Sequence, residues 1–270
     1  MTLQGGFVAA DTERSHSGTK SAKVTWPDGT TISAFGWTGM NDNTEYLRFS
    51  YWRYQNHQFP AGDDVTDANI KQFYVFGSNG DFPQGILLIP GGQDRWGLYN
   101  NGSVSYKYDG QQPGQINTSA KTWASSQGVW EHWDVYFYTG TGLDSYDGIY
   151  EIRVNGKILL TQENYNFQET AEGWWDDFRL GHMAQGTEGA EVWYDELVVT
   201  SGGPQAIYVT DSANFDDGDE HEMAAQHPAS WENGQINFNL NASALPSGVP
   251  LYCHVIKADR TVTTHSIGSL

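Results

Sequence analysis

The sequence predicts an all-β protein, on three observations. Four segments between Trp130 and Thr200 alternate apolar and polar residues with a period of two, as strands with one buried face do; they read WEHWDVYFYTG, YDGIYEIRVNGKILL, WWDDFRLGHMAQG and AEVWYDELVV. The dipeptides Asp147-Gly148 and Asn155-Gly156 are typical of tight turns between strands. Finally, 31 glycines and an aromatic content of 14% suit short strands and turns, whereas apolar residues at helical spacing are almost absent.

The N-terminal strands follow the same rule. A polar turn from Ser15 to Gly18 precedes a strand that begins near Ser21, and residues 30–38 and 44–55 form the next strands. In the segment 44–55, alternation predicts a core face and a second face that is unusually rich in rings and hydrogen-bonding groups. The core face carries Leu47, Phe49 and Tyr51, and the second face carries Arg48, Ser50, Trp52 and Tyr54.

The middle of the chain combines strands with glycine-rich loops. Residues 69–77 form a strand on which Gln72 and Tyr74 share one face, and short strands are expected at about 84–89, 95–99 and 103–108. Loops of this kind lie at the rim of β-sandwiches, where binding groups are common. The aromatic residues of this region either line a groove or are ordinary strand residues; they are Trp96, Tyr106 and Tyr108.

The composition of residues 201–204, Ser-Gly-Gly-Pro, predicts a flexible linker between two units. We therefore expect a large β-domain over residues 1–201. The segments QAIYVTDS, QINFNLNASAL and PLYCHVIKADRTV then predict three or four further strands. We interpret residues 205–270 as a small immunoglobulin-like β-sandwich.

Charge and cysteine content exclude several classes of protein. A net charge of −19 with only 14 Lys and Arg residues argues against nucleic acid and anionic membranes as partners. The single cysteine, Cys253, rules out an intrachain disulfide and a cysteine-based zinc site, and its apolar surroundings predict a buried thiol.

No apolar segment approaches the ~20 residues that cross a bilayer. Residues 1–6 lack the basic and apolar run of a signal peptide, so we expect either a cytosolic protein or a mature secreted protein whose leader has been removed.

Several stretches resemble the concanavalin A-like jelly-roll superfamily, which includes laminin-G-like modules and the heparin-lyase-like and alginate-lyase-like polysaccharide lyases. SHSGTKSAKV is similar to its first strand, DGIYEIRVNGK to its hairpin, and FRLGHMAQ with EVWYDELVV to its final strands. The resemblance covers most of residues 11–200 and implies a jelly roll that binds a polysaccharide on its concave face. It specifies the fold better than the activity, since lectins, hydrolases and lyases share this scaffold.

The segment FRLGHMAQ also resembles the alginate-lyase motif YFKAGVYNQ. It keeps Phe178, a basic residue at Arg179, Gly181 and Gln185, while Met183 stands where that family has its catalytic tyrosine. Alternation predicts that positions 179, 181, 183 and 185 share one face, and the resemblance implies that this face lines the concave cleft. The family's Gln-x-His pair appears as Gln72-Phe73-Tyr74, and its Arg-x-Glu signature is absent, so that Arg48 or Arg53 would have to replace it.

An eliminative lyase needs a group that neutralises the uronate carboxylate, a base and an acid. The candidate catalytic residues are Arg179 and Gln185 for neutralisation, Gln72 for orientation, and Tyr74, Tyr54 or His57 as base or acid. The candidate substrate-binding residues are Arg48, Trp52, Tyr54, Trp96, Tyr106 and Tyr108, because aromatic rings stack on sugar faces. Whether the protein is an enzyme is left open by these residues.

Two alternatives remain open. A lectin, or another non-catalytic binding or adhesive module, needs only the aromatic platform. A glycoside hydrolase needs two carboxylates at a suitable separation, for which Glu191 and Asp195 have the nearest spacing. Asp195 fits better as a residue that holds the N-terminal segment in place. Structural calcium is the candidate metal at Asp195, and no other cofactor is required.

Overall fold

A computed structural model describes residues 2–4, 8–26, 34–37, 44–56, 69–77, 83–89, 95–100, 127–168, 173–185, 189–201, 203, 205–216, 222–232, 234–242 and 244–270. The described residues contain nineteen strands and no helix, which confirms the all-β prediction. The first ten are β1 (Thr2–Gln4), β2 (Val8–Asp11), β3 (Ser21–Trp26), β4 (Ala34–Trp37), β5 (Tyr46–Gln55), β6 (Asn69–Gly77), β7 (Pro83–Ile89), β8 (Arg95–Asn100), β9 (Trp130–Tyr138) and β10 (Gly148–Val154). The others are β11 (Lys157–Tyr165), β12 (Trp175–Gln185), β13 (Ala190–Ser201), β14 (Ala206–Thr210), β15 (Met223–Gln226), β16 (Pro228–Glu232), β17 (Gln235–Phe238), β18 (Leu251–Ile256) and β19 (Val262–Gly268).

Two antiparallel sheets enclose the main core. The six-stranded sheet has the order β1-β4-β12-β6-β7-β8, and the seven-stranded sheet has the order β11-β10-β9-β5-β13-β3-β2. The predicted core face of β5 is confirmed, because Leu47, Phe49 and Tyr51 are fully buried. On the six-stranded sheet Phe178 stacks against Phe49 with ring centroids 4.9 Å apart. Side chains from the two sheets therefore interdigitate, as in other β-sandwiches.

The predicted Asn155-Gly156 hairpin is present and has two causes. Both residues have positive φ, 49° and 78°, as a two-residue type I′ turn requires. The turn joins β10 to β11, with Val154 directly opposite Lys157. A Cβ at position 156 would also lie 1.8 Å from the carbonyl oxygen of Phe215. Glycine is thus needed both for the turn and for the approach of the C-terminal segment.

The C-terminal strands form a four-stranded sheet, β15-β14-β18-β19, and a separate pair, β16-β17. The four-stranded sheet packs on the outer face of the seven-stranded sheet, where Trp52 joins Tyr208, Phe215 and Met223 in one apolar cluster. The parts on either side of residues 201–204 share this buried interface, and the division into two domains at the linker stays a prediction. The immunoglobulin-like assignment stays a prediction.

The interface also buries charge. Arg48 and Asp134 form an ion pair while 4% and 3% exposed, respectively. Arg153 extends from β10 to Asp216 of the C-terminal part at 2.8 Å. A buried charge is costly unless it is paired. The Arg48–Asp134 pair balances charge within the seven-stranded sheet, and the Arg153–Asp216 contact ties the C-terminal part to the sandwich.

Cys253 lies in β18 and is 6% exposed, as its apolar neighbours predicted. Burial raises the pKa of its thiol, which keeps it protonated and unreactive. No helix in the described ranges is long and apolar enough to span a membrane.

Candidate functional site

Arg179 and Asp177 form an ion pair on the outer face of the six-stranded sheet. They alternate along β12 with Phe178 and Leu180, which are fully buried on the opposite face. The guanidinium Nη2 and Nε atoms donate to Asp177 Oδ2 at 2.6 and 3.1 Å. The Arg179 side chain is 20% exposed and that of Asp177 only 11%. The carboxylate therefore holds the arginine in position while leaving part of it open to a ligand.

The electrostatics of Asp177 are unusual for a paired carboxylate. Burial raises the pKa of Asp177 above its ordinary value, and the opposing effect of Arg179 is smaller. Its second oxygen, Oδ1, is buried and has no hydrogen-bond partner among the described residues. Asp177 was not among the residues predicted from the sequence, although its position two residues before Arg179 on an alternating strand is the signal that identifies it.

The strands on either side of β12 place a tyrosine and a glycine directly opposite Arg179. Its partner in β6 is Tyr74, and its partner in β4 is Gly36. A Cβ at Gly36 would lie 1.9 Å from the carbonyl oxygen of Phe178, so no other residue fits there. Tyr74 is in turn opposite Gly85 of β7. An Arg-Tyr pair on this face therefore has a glycine on each side in the neighbouring strands.

Register shifts in β6 and β12 determine which residues form the next row on the outer face of the six-stranded sheet. Strands β7 and β8 pair without a register shift, so Gly85 and Leu87 share a face. The partner of Leu87 in β6 is Lys71, and the partner of Lys71 in β12 is Met183. Between these two rows, β7 has no extra residue, whereas β6 has one and β12 has two, which form bulges. The register therefore places Lys71 on the same face as Tyr74.

These bulges correct part of the sequence-based assignment. Gly181 has a φ of 69°, and its Cβ would meet Val24 and Trp26 of the core at 3.2 and 3.3 Å, so position 181 belongs to the core face rather than to the cleft. Gln72 lies within the β6 irregularity and has no direct partner in the described ladders. Lys71, which simple alternation assigned to the core side, takes the place expected for Gln72. Gln185, opposite Asn69, lies two residues after Met183 on the same face.

The ring-rich face of β5 is not part of this site. Arg48, Trp52 and Tyr54 belong to the seven-stranded sheet, and the first two are 4% and 5% exposed. Arg48 is paired with Asp134, and Trp52 Nε1 donates to the carbonyl oxygen of Met223 at 2.9 Å. Both residues therefore have partners within the protein, and their assignment as sugar-binding residues stays a prediction. Tyr54 is half-buried under the guanidinium of Arg14, 4.6 Å from its ring centroid.

The remaining candidates are only partly described. His57, Tyr106 and Tyr108 lie outside the described residues. For Gln72, Tyr74, Trp96 and Gln185 the structure describes the backbone and not the side chains. In β8 the register aligns Trp96 with Leu88 and Tyr99 with Gly85. Position 99 therefore shares the face of Arg179, whereas position 96 lies on the opposite face.

Comparison with solved structures gives matches at low sequence identity. Alginate lyase vAL-1 from Chlorella virus matches with a TM-score of 0.53 and 14% identity, covering 72% of this chain and 89% of that chain. Endo-β-1,4-glucuronan lyase from the fungus Trichoderma reesei matches with a TM-score of 0.50 and 17% identity, covering 74% and 90%. The chain has the concanavalin A-like jelly-roll fold. No protein-family model and no curated protein sequence matches it.

Asp195 ties the N-terminal segment to the outer sheet of the jelly roll. Its Oδ2 accepts hydrogen bonds from the backbone amides of His16 and Ser17 at 2.8 and 3.1 Å. The other carboxylate of the hydrolase alternative, Glu191, is 2.7 Å from Lys23 Nζ. Both acids thus have structural partners. In the part of the chain that is described, no three His, Cys, Asp or Glu side chains form a metal-binding group, and calcium at Asp195 stays a prediction.

His16 links the jelly roll to the C-terminal part. Its ring stacks on Trp52 with centroids 3.6 Å apart, and its Nδ1 and Nε2 atoms lie 3.6 and 3.1 Å from carboxylate oxygens of Glu196 and Glu222. Burial by itself would lower the pKa of His16, but the two carboxylates together outweigh it and raise the pKa above its ordinary value.

We expect the link to weaken with rising pH. A histidine with a raised pKa contributes its full stabilisation below the unfolded-state value of about 6.5 and loses it as the pH rises through the folded-state value. The melting temperature of His16→Gln should therefore lie furthest below that of the wild type near about pH 6 and approach it toward about pH 9. Thermal unfolding across this range measures the difference. His227→Gln, at an exposed position, is the control, and a constant His16→Gln deficit from about pH 6 to 9 would contradict the assignment.

Proposed function

We propose that the outer face of the six-stranded sheet binds a uronate-containing polysaccharide, with Arg179 as the group that binds the carboxylate. The observation that carries this proposal is the guanidinium of Arg179, held by Asp177 and partly open above the sheet. A planar guanidinium is well suited to a carboxylate because it presents paired N–H donors. Asp177 fixes the arginine in advance, so less side-chain entropy is lost on binding.

The local charge supports an anionic ligand although the whole protein is acidic. The register places Lys71 one row from Arg179 on the same face, next to Met183. A net charge of −19 repels a polyanion at long range, but screening limits that repulsion to about 10 Å at ordinary ionic strength. The charges near a bound sugar are therefore those of Lys71 and of the Arg179–Asp177 pair.

Eliminative cleavage is the finer proposal for the same face. A base removes the proton at C5, the electrons form a C4=C5 double bond, and the C4–O bond breaks while an acid protonates the leaving oxygen. Arg179 would stabilise the negative charge that develops on the carboxylate. Met183 can neither accept nor donate a proton, whereas Tyr74, directly opposite Arg179, carries a hydroxyl that can. We assign Tyr74 as base or acid and Gln185 as a second group near the carboxylate.

A non-catalytic lectin is the second candidate, and the methionine at position 183 favours it. The same face without a competent base would bind the polysaccharide and release it unchanged. In either case the proposed substrate is an extracellular polymer, and we infer a secreted protein.

Binding and cleavage can be tested together with the wild type and Arg179→Ala. Polyglucuronate, alginate, pectin and heparin are offered, binding is measured by titration calorimetry, and cleavage by the ultraviolet absorbance of the new double bond. We expect at least one of these polymers to bind and the variant to bind about 10–100-fold more weakly, since hydrogen bonds to charged groups contribute about 1.5–3 kcal/mol. Tyr74→Phe should abolish an absorbance increase but retain binding.

Arg14→Ala provides the matched control, because Arg14 is a partly exposed arginine paired with Glu13 in the connection between β2 and β3. It should bind like the wild type. Binding without any absorbance increase would establish the lectin and refute the lyase. If none of the four polymers binds, or if Arg179→Ala binds as well as the wild type, the proposal fails.

A further inference from the structure

A second cleft lies on the opposite side of the jelly roll, where the C-terminal strands leave part of the seven-stranded sheet uncovered. It has a volume of ≈310 Å³. Neighbouring residues of β5 and β13 form its floor, with Val198 opposite Ser50 and Thr200 opposite Arg48. Strands β14 and β15 form one wall, and Trp231 of β16 lies at the rim. This cleft shares no lining residue with the Arg179 face, so a ligand could bind in it whether or not that face binds a polysaccharide.

The charge of the arginine in this cleft is balanced by a carboxylate of the same protein. Arg48 is the one charged residue among the described residues that line it, and its Nε atom donates to Asp134 Oδ1 at 2.8 Å. Its pKa is raised by Asp134 despite the opposing effect of burial, so the pair stays ionised. An ionic ligand would need a partner of opposite charge and would find Arg48 bonded to Asp134. The cleft is therefore suited to a neutral ligand.

Its walls combine an aromatic surface with hydroxyl and amide groups. Trp231 is 38% exposed, and Thr200, Ser201 and Gln205 lie at or near the surface of the same cleft. Gln226 is fixed, since its amide nitrogen donates to the carbonyl oxygens of Ala224 and Asn241 at 2.9 and 3.1 Å. A flat apolar ring beside several donors and acceptors matches a sugar residue, which has an apolar C–H face and a hydroxylated edge.

We infer that this cleft binds a neutral sugar residue, with Trp231 stacking on the ring and Thr200, Ser201 and Gln205 hydrogen-bonding its hydroxyls. The volume falls near the lower end of the range for small-molecule sites, about 300–1,000 Å³, and accommodates one or two sugar units rather than a long chain. The protein would then have two carbohydrate sites on opposite sheets, one for charged units and one for neutral units.

The test is calorimetric titration of the full-length protein with cellohexaose, xylohexaose, mannohexaose and laminarihexaose. At least one should bind the wild type, and Trp231→Ala should bind it about tenfold or more weakly, equivalent to about 1.4 kcal/mol. Trp174→Ala is the matched control, because Trp174 is similarly exposed at 36% but lies just before β12 and not in this cleft. Ser201→Trp should also block binding by filling the mouth, and it removes no wild-type contact with the core.

Arg179→Ala separates this site from the other face and should bind the neutral oligosaccharide like the wild type. The inference is overturned if none of the four oligosaccharides binds, or if neither Trp231→Ala nor Ser201→Trp weakens binding. Loss of neutral binding in Arg179→Ala with retention in Trp231→Ala would assign that binding to the six-stranded sheet and would also overturn it.

Discussion

Replacing Asp134 by alanine is expected to lower the free energy of unfolding by about 3–5 kcal/mol, because it leaves Arg48 as an unpaired buried charge. Asp134 and Arg48 are 3% and 4% exposed and lie between the seven-stranded sheet and the C-terminal strands. Urea unfolding followed by tryptophan fluorescence measures the change, with an unchanged slope indicating that the folded state is intact.

Two controls separate loss of the pair from loss of packing. The double variant Arg48→Met/Asp134→Leu removes both charges and should be substantially more stable than Asp134→Ala, since replacement of a buried pair by apolar residues is often neutral or stabilising. Glu13→Ala removes an exposed carboxylate that lies 3.6 Å from both Arg14 and Lys23, and it should change stability by less than about 1 kcal/mol. If Asp134→Ala behaves like Glu13→Ala, the pair contributes no more than a surface ion pair.

The same pair predicts an acid dependence with a definite sign. Burial would raise the pKa of Asp134, but Arg48 reverses this and holds the pKa below its ordinary value. A carboxylate with a lowered pKa stabilises the fold above the unfolded-state value of about 3.9 and loses that contribution as the pH falls through the folded-state value. The difference in stability between the wild type and Asp134→Ala should thus be constant near neutral pH and shrink under strongly acidic conditions.

Local sequence rules predicted the strands because they depend on neighbours a few residues apart. Alternation identified Leu47, Phe49 and Tyr51 as core, and all three are fully buried. The Asn155-Gly156 dipeptide predicted its turn because few residues adopt positive φ at two successive positions. These features need no knowledge of what the sheet packs against.

The second face of β5 shows what alternation cannot reveal. Period two tells which residues share a face, but not what covers that face. Trp52 and Arg48 resemble a ligand platform in sequence, whereas their partners are Met223 and Asp134, which are 171 and 86 residues away along the chain. Aromatic rings and charged groups are as suitable for packing one part of the chain against another as for binding a sugar.

The candidate site was predicted in part. Arg179 was identified from its motif and its alternation with buried residues, and Asp177 could have been found by the same rule. Lys71 could not, because the bulge that moves it to the face of Tyr74 depends on pairing with β7 and β12. A bulge shifts every later residue of a strand to the other face, so one irregular position changes the whole assignment. Gly181, with its positive φ, was the only local sign of such a shift within the described part of β12.

A chain that ends after Ser201 is expected to lose at least about 10 °C in melting temperature or to fail to unfold cooperatively. Removal of the later strands exposes Trp52 and Tyr136, which are 5% and 3% exposed in the full chain, and large side chains contribute about 1.5–3 kcal/mol each when buried. It also leaves Arg153 without Asp216 and Glu151 without Arg260. For a domain of about 200 residues each kcal/mol corresponds to about 2–4 °C.

Circular dichroism during heating measures this, and a chain that ends at Gly268 is the control, since it lacks only the exposed end of the protein. That control should melt like the full chain.

The strands before Ser201 contain both sheets of the jelly roll and the whole Arg179 site, so sequence alone predicts that they fold independently. The buried Arg48–Asp134 pair and the Trp52 cluster predict the opposite. Both are covered by C-terminal residues such as Tyr208, and a face that is normally solvated would not be expected to contain them. A truncated chain that melts within a few degrees of the full-length protein would mean that the outer face tolerates water and that the C-terminal strands are an accessory. A large loss would mean that they complete the fold, which leaves the face of Arg179 and the cleft beside Trp231 as the surfaces available for ligands.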